Sequence, residues 1–230
     1  MLVAGSNSWP VISRTQSHME TIGKGFAATV YKIERNGSVF TLKEFAPSWP
    51  AKLSHRLLRR TKHPYCTGKG IRAAYHRRRI ASRLSRIWDQ HNYIVDAIAM
   101  HDERSFLCQY AEGRPVSHQE LDEAASFVKQ LKQNLREAGL PTMSLEGLPS
   151  RYLPAKFNKL VDVRNLIVGK DGYFKLVDFE SGIPRVKQGR FILDDTDFDK
   201  LDSYLRNIGD KELGEEFELL KQYSGGTRRG

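Results

Sequence analysis

ETIGKGFAATVYKIERNGSVFTLKEF, residues 20–45, is the stretch that decides the fold of this chain. Alternating apolar residues predict three strands within it, at Glu20–Gly23, Ala28–Arg35 and Ser38–Phe45. Asn36 and Gly37 join the last two strands, and this pair is the strongest short signal for a hairpin turn. The stretch therefore predicts the beginning of an antiparallel sheet.

The first turn of this predicted sheet contains Gly23 and Gly25, and Lys43 stands in the third strand. Glycines let a backbone approach phosphate closely, and a lysine supplies a cation for it. An ordinary hairpin would also explain the glycines, so both interpretations remain open at this point. Residues further along the chain are needed to decide between them.

The rest of the chain predicts further strands and helices. Pro47 and Pro50 end the first sheet segment, and apolar residues at helical spacing predict a long basic helix from Ile71 to about Ile87. The other predicted elements are two strands around the turn HDER (101–104), a helix capped by Ser117 and Glu120 and ending at Gly139, a hairpin of NLIV (165–168) and FKLVDF (174–179), and a helical segment from about Asp195 to Gln222.

This order predicts a sheet-rich part, residues 19–112, followed by a mainly helical part, residues 113–223. Residues 1–18 and 224–230 are expected to be flexible ends. The segment from Gln109 to Pro115 is the predicted hinge between the two parts. Ligands usually bind in the cleft between such parts, so we expect the functional site there.

Positive charge is concentrated in one region of the 230-residue chain, whose formal net charge is +10. No aspartate or glutamate occurs from Ala46 to Trp88, and Arg77, Arg78 and Arg79 lie inside this span. We therefore expect a cationic surface that binds a phosphorylated saccharide, a lipid or an anionic membrane face. A solvated helix face without a partner is the alternative. Nucleic acid is a weaker one, because no base-stacking or groove-reading motif accompanies the charge.

Composition favours a cytoplasmic protein, with peripheral contact at the inner membrane face as an open possibility. The hydrophobic content of 40% and charged content of 28% are those of an ordinary globular protein. No apolar run reaches the roughly 18 residues of a membrane span, and the N-terminus lacks the pattern of a secretory signal. Cys66 and Cys108 are far apart and match no metal or redox spacing.

Three polar residues fit the requirements of phosphoryl transfer, which are a cation on the phosphates and carboxylate and amide ligands for magnesium. Lys43 is the candidate cation. Asn165 opens the strand NLIV, and Asp178 follows the apolar strand FKLV. Val30, after the glycines, is suited to pack under an adenine. Together these residues favour the phosphate-binding interpretation of the opening stretch.

The segments IGKGFAATVYK, FTLKEF, RNLIV and LVDFESG occur in this order between Thr21 and Gly182. They resemble the glycine-rich loop, strand-three lysine, catalytic-loop asparagine and magnesium-binding aspartate of the protein-kinase-like superfamily. The resemblance implies an α+β, two-lobed fold with a five-stranded antiparallel N-lobe sheet and a reduced helical C-lobe. It also implies ATP and Mg²⁺ as cofactors, with nucleotide contacts at Gly23, Gly25, Val30, Lys43, Gln109 and Tyr110 and metal ligands at Asn165 and Asp178.

The chain after Asp178 is shorter than the corresponding part of typical eukaryotic-like protein kinases, whose helical lobe is larger. The sequence is similar instead to the compact bacterial kinases that phosphorylate heptose or related sugars of the lipopolysaccharide core. In these kinases, as in TLKEFAPSWPAKLSHRLLRR (residues 41–60), the strand-three lysine leads into a basic segment. The resemblance implies transfer of the γ-phosphate of ATP to a hydroxyl of an anionic acceptor, such as a lipopolysaccharide-core sugar. A minimal protein Ser/Thr kinase, and a pseudokinase that binds nucleotide or a partner without transfer, remain open alternatives.

One departure from the family pattern concerns the partner of Lys43. The family pairs this lysine with a glutamate on the following helix, but the acid-free span from Ala46 to Trp88 offers none. We therefore expect Asp178 or the phosphates themselves to pair with Lys43.

Two other departures concern the catalytic loop and the segment after Asp178. Lys159 and Leu160 stand where the family has its catalytic aspartate, which leaves Asp162 as the candidate base and Arg164 as a candidate for stabilising the transferring phosphoryl group. A turn-capping role is the alternative for Asp162. Glu180 replaces the glycine after the aspartate and phenylalanine, which predicts a less mobile segment.

Overall fold

The computed structural model of the chain describes residues 19–24, 28–50, 52–53, 64–140, 163, 165–179, 185–187, 190–192 and 196–224. Four residues singled out by the sequence, Gly25, Asp162, Arg164 and Glu180, lie outside these ranges. Within the described ranges, no helix is both long enough and apolar enough to cross a bilayer.

The described structure includes eleven strands, four α-helices and two short 3₁₀ helices, Pro64–Cys66 and His118–Glu120. The strands are β1 (Met19–Lys24), β2 (Ala28–Arg35), β3 (Ser38–Phe45), β4 (Tyr93–Ile94), β5 (Ala97–Asp102), β6 (Ser105–Gln109), β7 (Gly113–Pro115), β8 (Leu166–Gly169), β9 (Phe174–Leu176), β10 (Arg185–Lys187) and β11 (Arg190–Ile192). The helices are α1 (Gly68–Trp88), α2 (Leu121–Glu137), α3 (Phe198–Ile208) and α4 (Lys211–Ser224).

A five-stranded antiparallel sheet in the order β1-β2-β3-β6-β5 forms the first layer. This confirms the α+β fold class and the five-stranded sheet predicted from the sequence. Asn36 and Gly37 turn β2 into β3 with φ angles of 51° and 72°, the left-handed conformation that such a two-residue hairpin turn requires. Because the turn fixes the register, Val30 lies directly opposite Lys43.

The sheet has two apolar faces, since side chains alternate along each strand. One face carries Phe45, Phe106 and Cys108 and packs with Ile71 and Tyr75 of α1. The opposite face forms a small cluster of Ile33, Leu42 and Leu107. Lys43 belongs to the first face, because its cross-strand partner in β6 is Phe106.

A larger core joins the helices to a second sheet. This second sheet has the order β4-β9-β8-β7, and its β4–β9 pair is parallel. Helix α2 contributes Val128, Leu131 and Leu135 to this core, and the other helices pack beside it. The capping box predicted at Ser117 and Glu120 is present in the turn before α2. The Glu120 carboxylate accepts hydrogen bonds from the Ser117 N–H and from the Ser117 hydroxyl.

The C-terminal segment predicted to be helical from about Asp195 to Gln222 contains two helices, α3 and α4. Gly209 ends α3 in the left-handed conformation, with φ of 71°, and its N–H donates to the Leu205 carbonyl. Asp210 then caps α4, because its Oδ1 accepts hydrogen bonds from the N–H groups of Glu212 and Leu213. The two caps allow α4 to turn back and pack along α1.

Helix α1 was predicted to present its arginines as a cationic surface, but much of this charge is covered. Arg77 and Arg78 are buried, at 7% and 0% exposure. Another stripe of α1 faces α4 and contacts its acidic side chains. A guanidinium nitrogen of Arg79 lies 2.8 Å from one carboxylate oxygen of Glu216, and His76 Nδ1 lies 2.7 Å from the other.

The same stripe is paired at both of its ends. Arg83 binds both Asp210 and Glu212, and Arg72 donates to the Tyr223 hydroxyl at 3.2 Å. The acids come from more than a hundred positions away in the chain, so a local count of charges could not detect them. The exposed Lys52 and Lys69 remain, and the basic residues 56, 59, 60 and 62 lie outside the described ranges.

Glu216 is expected to be the residue of α4 that holds it most firmly to α1. Glu216→Ala removes the partner of both His76 and Arg79 in a site where the Glu216 side chain is 13% exposed. We expect a loss of about 2–4 kcal/mol in the free energy of unfolding, measured by urea denaturation.

The matched control is Glu218→Ala on the same helix. The Glu218 side chain is 68% exposed and lies 4.0 Å from Lys221. Its replacement should change the free energy of unfolding by less than about 0.5 kcal/mol. Equal losses in the two variants would contradict the bracing role of Glu216.

Candidate functional site

Lys43 is the best-defined charged residue of the predicted site. Lys43 stands in β3, the central strand of the five-stranded sheet, directly opposite Val30 of β2 and Phe106 of β6. The residue is 4% exposed, so its ammonium group lies largely away from solvent. A lysine so buried requires an anionic or polar partner, because desolvation penalises the charged form.

Asp178 supplies such a partner. The Lys43 Nζ atom lies 3.3 Å from Asp178 Oδ1, although the two residues are 135 positions apart. This contact confirms the expectation that Asp178 pairs with Lys43 in the absence of a helix glutamate. The Asp178 side chain is 39% exposed, so the ion pair is closed on the lysine side and open to solvent on the aspartate side.

Asn165 is brought to the same end of the β8–β9 hairpin. The register pairs Leu166 with Leu176, and the Val177 N–H donates to the Asn165 carbonyl at 3.0 Å. Asn165 is therefore opposite the residue that precedes Asp178. The Asn165 backbone thus lies at the same hairpin end as Asp178, whose carboxylate contacts Lys43. An amide and a carboxylate are the ligand types predicted for Mg²⁺.

The glycine-rich turn is described only on its flanks. Gly23 lies just after a register shift in the β1–β2 pairing. A Cβ atom at Gly23 would lie 3.7 Å from the Val30 Cβ, an ordinary van der Waals distance. Packing against the described residues therefore does not require glycine at this position, whereas close approach of a ligand to the backbone would.

The predicted nucleotide contacts Gln109 and Tyr110 lie at the end of β6. The Gln109 N–H donates to the Asp96 carbonyl at 3.0 Å, and its side-chain oxygen accepts from Arg86 at 2.9 Å. Lys32 Nζ lies 5.1 Å from the centre of the Tyr110 ring. Because the Gln109 N–H is already bonded, an adenine contact here has to use other groups of the segment.

Asp162 and Arg164, the candidate base and phosphoryl-stabilising residue, lie outside the described ranges. Val163 between them is described and is buried in the larger core. Within the described residues, no group of three or more His, Cys, Asp or Glu side chains is arranged to hold a metal ion.

Arg77 and Arg78 contact the segment around Asp178, although the sequence predicted both on a cationic surface. Arg78 donates to the carbonyl oxygens of Val95 and Val177 at 2.6 Å and 3.1 Å. The Arg77 guanidinium lies 5.4 Å from the centre of the Phe179 ring. Helical spacing could have indicated this for Arg78, because the residue falls on the apolar stripe of Ile71 and Tyr75.

Asp96 is the partly buried acid of this region. Burial raises the pKa of its carboxyl above the ordinary value, against the opposing effects of the Arg79 and Arg86 charges and of the Ala97 N–H. Its Oδ1 atom has no hydrogen-bond partner in the described part of the chain. The Asp96 carbonyl accepts the hydrogen bond of the Gln109 N–H at the start of the predicted hinge.

Comparison with known proteins yields no family model and no curated protein that matches this chain. Among solved structures, the chain is similar to the Rio2 kinase–ADP/Mg²⁺–phosphoaspartate complex from Chaetomium thermophilum, with 11% sequence identity and a TM-score of 0.41. The alignment covers 90% of this chain and 53% of that chain. This chain therefore spans about half the length of the matched kinase.

Replacement of Asp96 by asparagine is expected to have an effect that depends on pH. A carboxyl with a raised pKa binds protons more tightly in the folded state, so its contribution to the free energy of unfolding falls as pH rises from near 3.8 through the raised pKa. Asp96→Asn removes this loss. The difference in unfolding free energy, variant minus wild type, should therefore increase from about pH 4 towards about pH 7 in urea denaturation series. A difference that stays constant or decreases would contradict the assignment.

Proposed function

We propose that this chain is an ATP-dependent phosphotransferase that transfers the γ-phosphate to a hydroxyl group. The observation that carries the proposal is the contact of 3.3 Å between Lys43 and Asp178, with Asn165 at the same hairpin end. Phosphoryl transfer depends on positioning and on charge stabilisation, and we assign the required cation, carboxylate and amide to these three residues.

Lys43 and Asp178 have separate roles in this proposal. Lys43 binds the phosphate oxygens of ATP, and Asp178 and Asn165 hold Mg²⁺, which usually takes one or two carboxylates together with substrate phosphates. A Mg²⁺ ion held by these two residues would supply positive charge to the phosphate groups. Before nucleotide binds, the side chains of Lys43 and Asp178 are directed towards each other, with Nζ and Oδ1 3.3 Å apart.

The other assignments of the proposal rest on sequence. Val30 faces the same side of the sheet as Lys43 and provides an apolar contact for the adenine. Asp162 accepts the proton of the acceptor hydroxyl, and Arg164 stabilises the charge on the transferring group. Gly23 and Gly25 allow the backbone to approach the phosphates.

For the acceptor, we propose an anionic saccharide such as a lipopolysaccharide-core sugar, in a cytoplasmic reaction at the inner membrane face. The support is the resemblance of residues 41–60 to the compact bacterial sugar kinases. Arg77 and Arg78 do not contribute to acceptor binding, because both are buried. The exposed Lys52 and Lys69 and the basic residues between 56 and 62 are the remaining cations for this role.

Nucleotide binding without transfer is the second candidate function. The absence of any acid from helix α1 favours it, because the resemblance implied a glutamate there. Transfer and binding are separated by experiments that measure each of them independently.

Mg·ATP at about 100 times its dissociation constant is expected to stabilise the folded chain by about 2.7 kcal/mol. For a chain of this size the melting temperature should then rise by about 5–10 °C in a thermal unfolding scan. Asp178→Asn should abolish the magnesium-dependent part of the rise, because it removes the carboxylate proposed as the metal ligand.

Asp171→Asn is the matched control for this scan. Asp171 lies in the turn of the same hairpin, where it pairs with Lys175 at 2.6 Å and not with Lys43. This variant should keep the full rise with Mg·ATP, whatever its own melting temperature. No rise in the wild-type protein, or an equal rise in Asp178→Asn, would contradict the proposed nucleotide site.

Incubation with γ-labelled ATP and a membrane fraction rich in lipopolysaccharide tests the acceptor. We expect magnesium-dependent label in the glycolipid fraction and none with Asp178→Asn, because transfer requires the metal site. Label confined to protein bands would contradict the saccharide acceptor and indicate a protein kinase. Absence of label in a protein that still binds Mg·ATP would indicate a nucleotide-binding module.

A further inference from the structure

We propose that Arg78 is a positioning residue that sets the orientation of Asp178 for metal binding. The inference rests on the proposed function, since it concerns the same magnesium site. It assigns to helix α1 a cationic contact with the Asp178 segment, whereas the kinase resemblance implied an acidic contact between this helix and Lys43.

The contacts of Arg78 place its guanidinium between two strand ends. Its Nε donates to the Val95 carbonyl at 2.6 Å, just after β4, and its NH2 group donates to the Val177 carbonyl at 3.1 Å, just after β9. The two strand ends are also joined directly, because the Val95 N–H donates to the Leu176 carbonyl at 2.9 Å. Arg78 therefore donates a hydrogen bond to the backbone between the end of β9 and Asp178.

The Val177 carbonyl belongs to the same peptide unit as the amide nitrogen of Asp178. A peptide unit is planar, so a hydrogen bond to this oxygen restricts the direction in which the Asp178 Cα leaves the strand. On the far side of Asp178, the Phe179 ring is buried in the larger core and lies beside the Arg77 guanidinium. Adjacent arginines thus contact the residues on both sides of the proposed metal ligand.

The cost of this arrangement argues for a role beyond packing. Arg78 has no solvent exposure, and a buried guanidinium is usually less favourable than an apolar side chain of similar volume. A planar guanidinium with several donors can bond two carbonyls in a fixed geometry, which a lysine ammonium or an apolar side chain does not reproduce. The residue type is therefore suited to fixing a backbone direction rather than to filling space.

The decisive experiment compares the affinity for ADP with and without magnesium, by titration calorimetry on the full chain. In the wild type, the ratio of the two dissociation constants measures the contribution of the metal site. Residues that orient metal ligands typically change metal affinity by about 10- to 100-fold when replaced. Arg78→Lys should therefore reduce the magnesium-dependent gain by about tenfold or more and leave the metal-free dissociation constant within about twofold.

Ser82→Ala is the matched control on the same helix. Ser82 is buried, and its hydroxyl donates to the Ile94 carbonyl of β4 at 2.8 Å. The Ile94 N–H donates to the Ser85 hydroxyl, so neither hydrogen bond involves Val177. This variant should lower the melting temperature without changing the magnesium ratio. A general loosening of the helix would instead lower the ratio in both variants, which would overturn the inference.

Arg77→Gln provides a second variant in case Arg78→Lys does not fold. Arg77 is 7% exposed, and its replacement by glutamine removes the cation beside Phe179. The variant should also reduce the magnesium ratio, but by a smaller factor than Arg78→Lys. A folded Arg78→Lys with the wild-type ratio, or an unfolded one accompanied by an unchanged ratio in Arg77→Gln, overturns the positioning role alone. A wild-type protein that binds no nucleotide overturns the proposed function and this inference together.

Discussion

The placement of the β8–β9 hairpin against the five-stranded sheet is constrained by the ion pair of Lys43 and Asp178. The ion pair joins the centre of the five-stranded sheet to the end of the β8–β9 hairpin, two elements that the chain builds 135 positions apart. The contact can form only if the Asn36–Gly37 turn fixes the register of β3 and the hairpin register brings Val177 opposite Asn165. A lysine that is 4% exposed makes this requirement strict, because its charge has little access to water.

Helix α1 holds the two sides of this contact together. One stripe of the helix packs under the sheet, a second enters the larger core, and a third is covered by the acids of α4. Its arginines, which look like one cationic cluster in the sequence, are divided by the helical period among different neighbours. Arg78 faces inward to two carbonyl groups, and Arg79 faces Glu216. The C-terminal helix is in this way part of the frame that supports the proposed metal site.

The sequence predicts most of the first sheet and little of what surrounds α1. The bounds of β2 and β3 were predicted at the residues where they occur, because alternation and the Asn36–Gly37 turn are local signals. The absence of any acid on α1 left Asp178 or the phosphates as expected partners of Lys43, and the structure pairs Lys43 with Asp178. The break at Gly209 has a local signal, because glycine adopts the left-handed conformation at a helix end and Asp210 caps the next helix. The parallel β4–β9 pair and the acids that cover Arg79 and Arg83 depend on contacts between distant segments. Charge counted along the sequence therefore gave the wrong environment for Arg77 and Arg78, although the spacing from Ile71 contained the information for Arg78.

A crystal structure of the chain with Mg²⁺ and a non-hydrolysable ATP analogue tests the proposed nucleotide site. We expect a metal ion with oxygen atoms of Asp178 and Asn165 at about 2.1 Å and Lys43 Nζ within hydrogen-bond distance of a phosphate oxygen. A nucleotide bound elsewhere, with the Lys43–Asp178 contact unchanged and no metal beside it, would show that these residues do not form the nucleotide site.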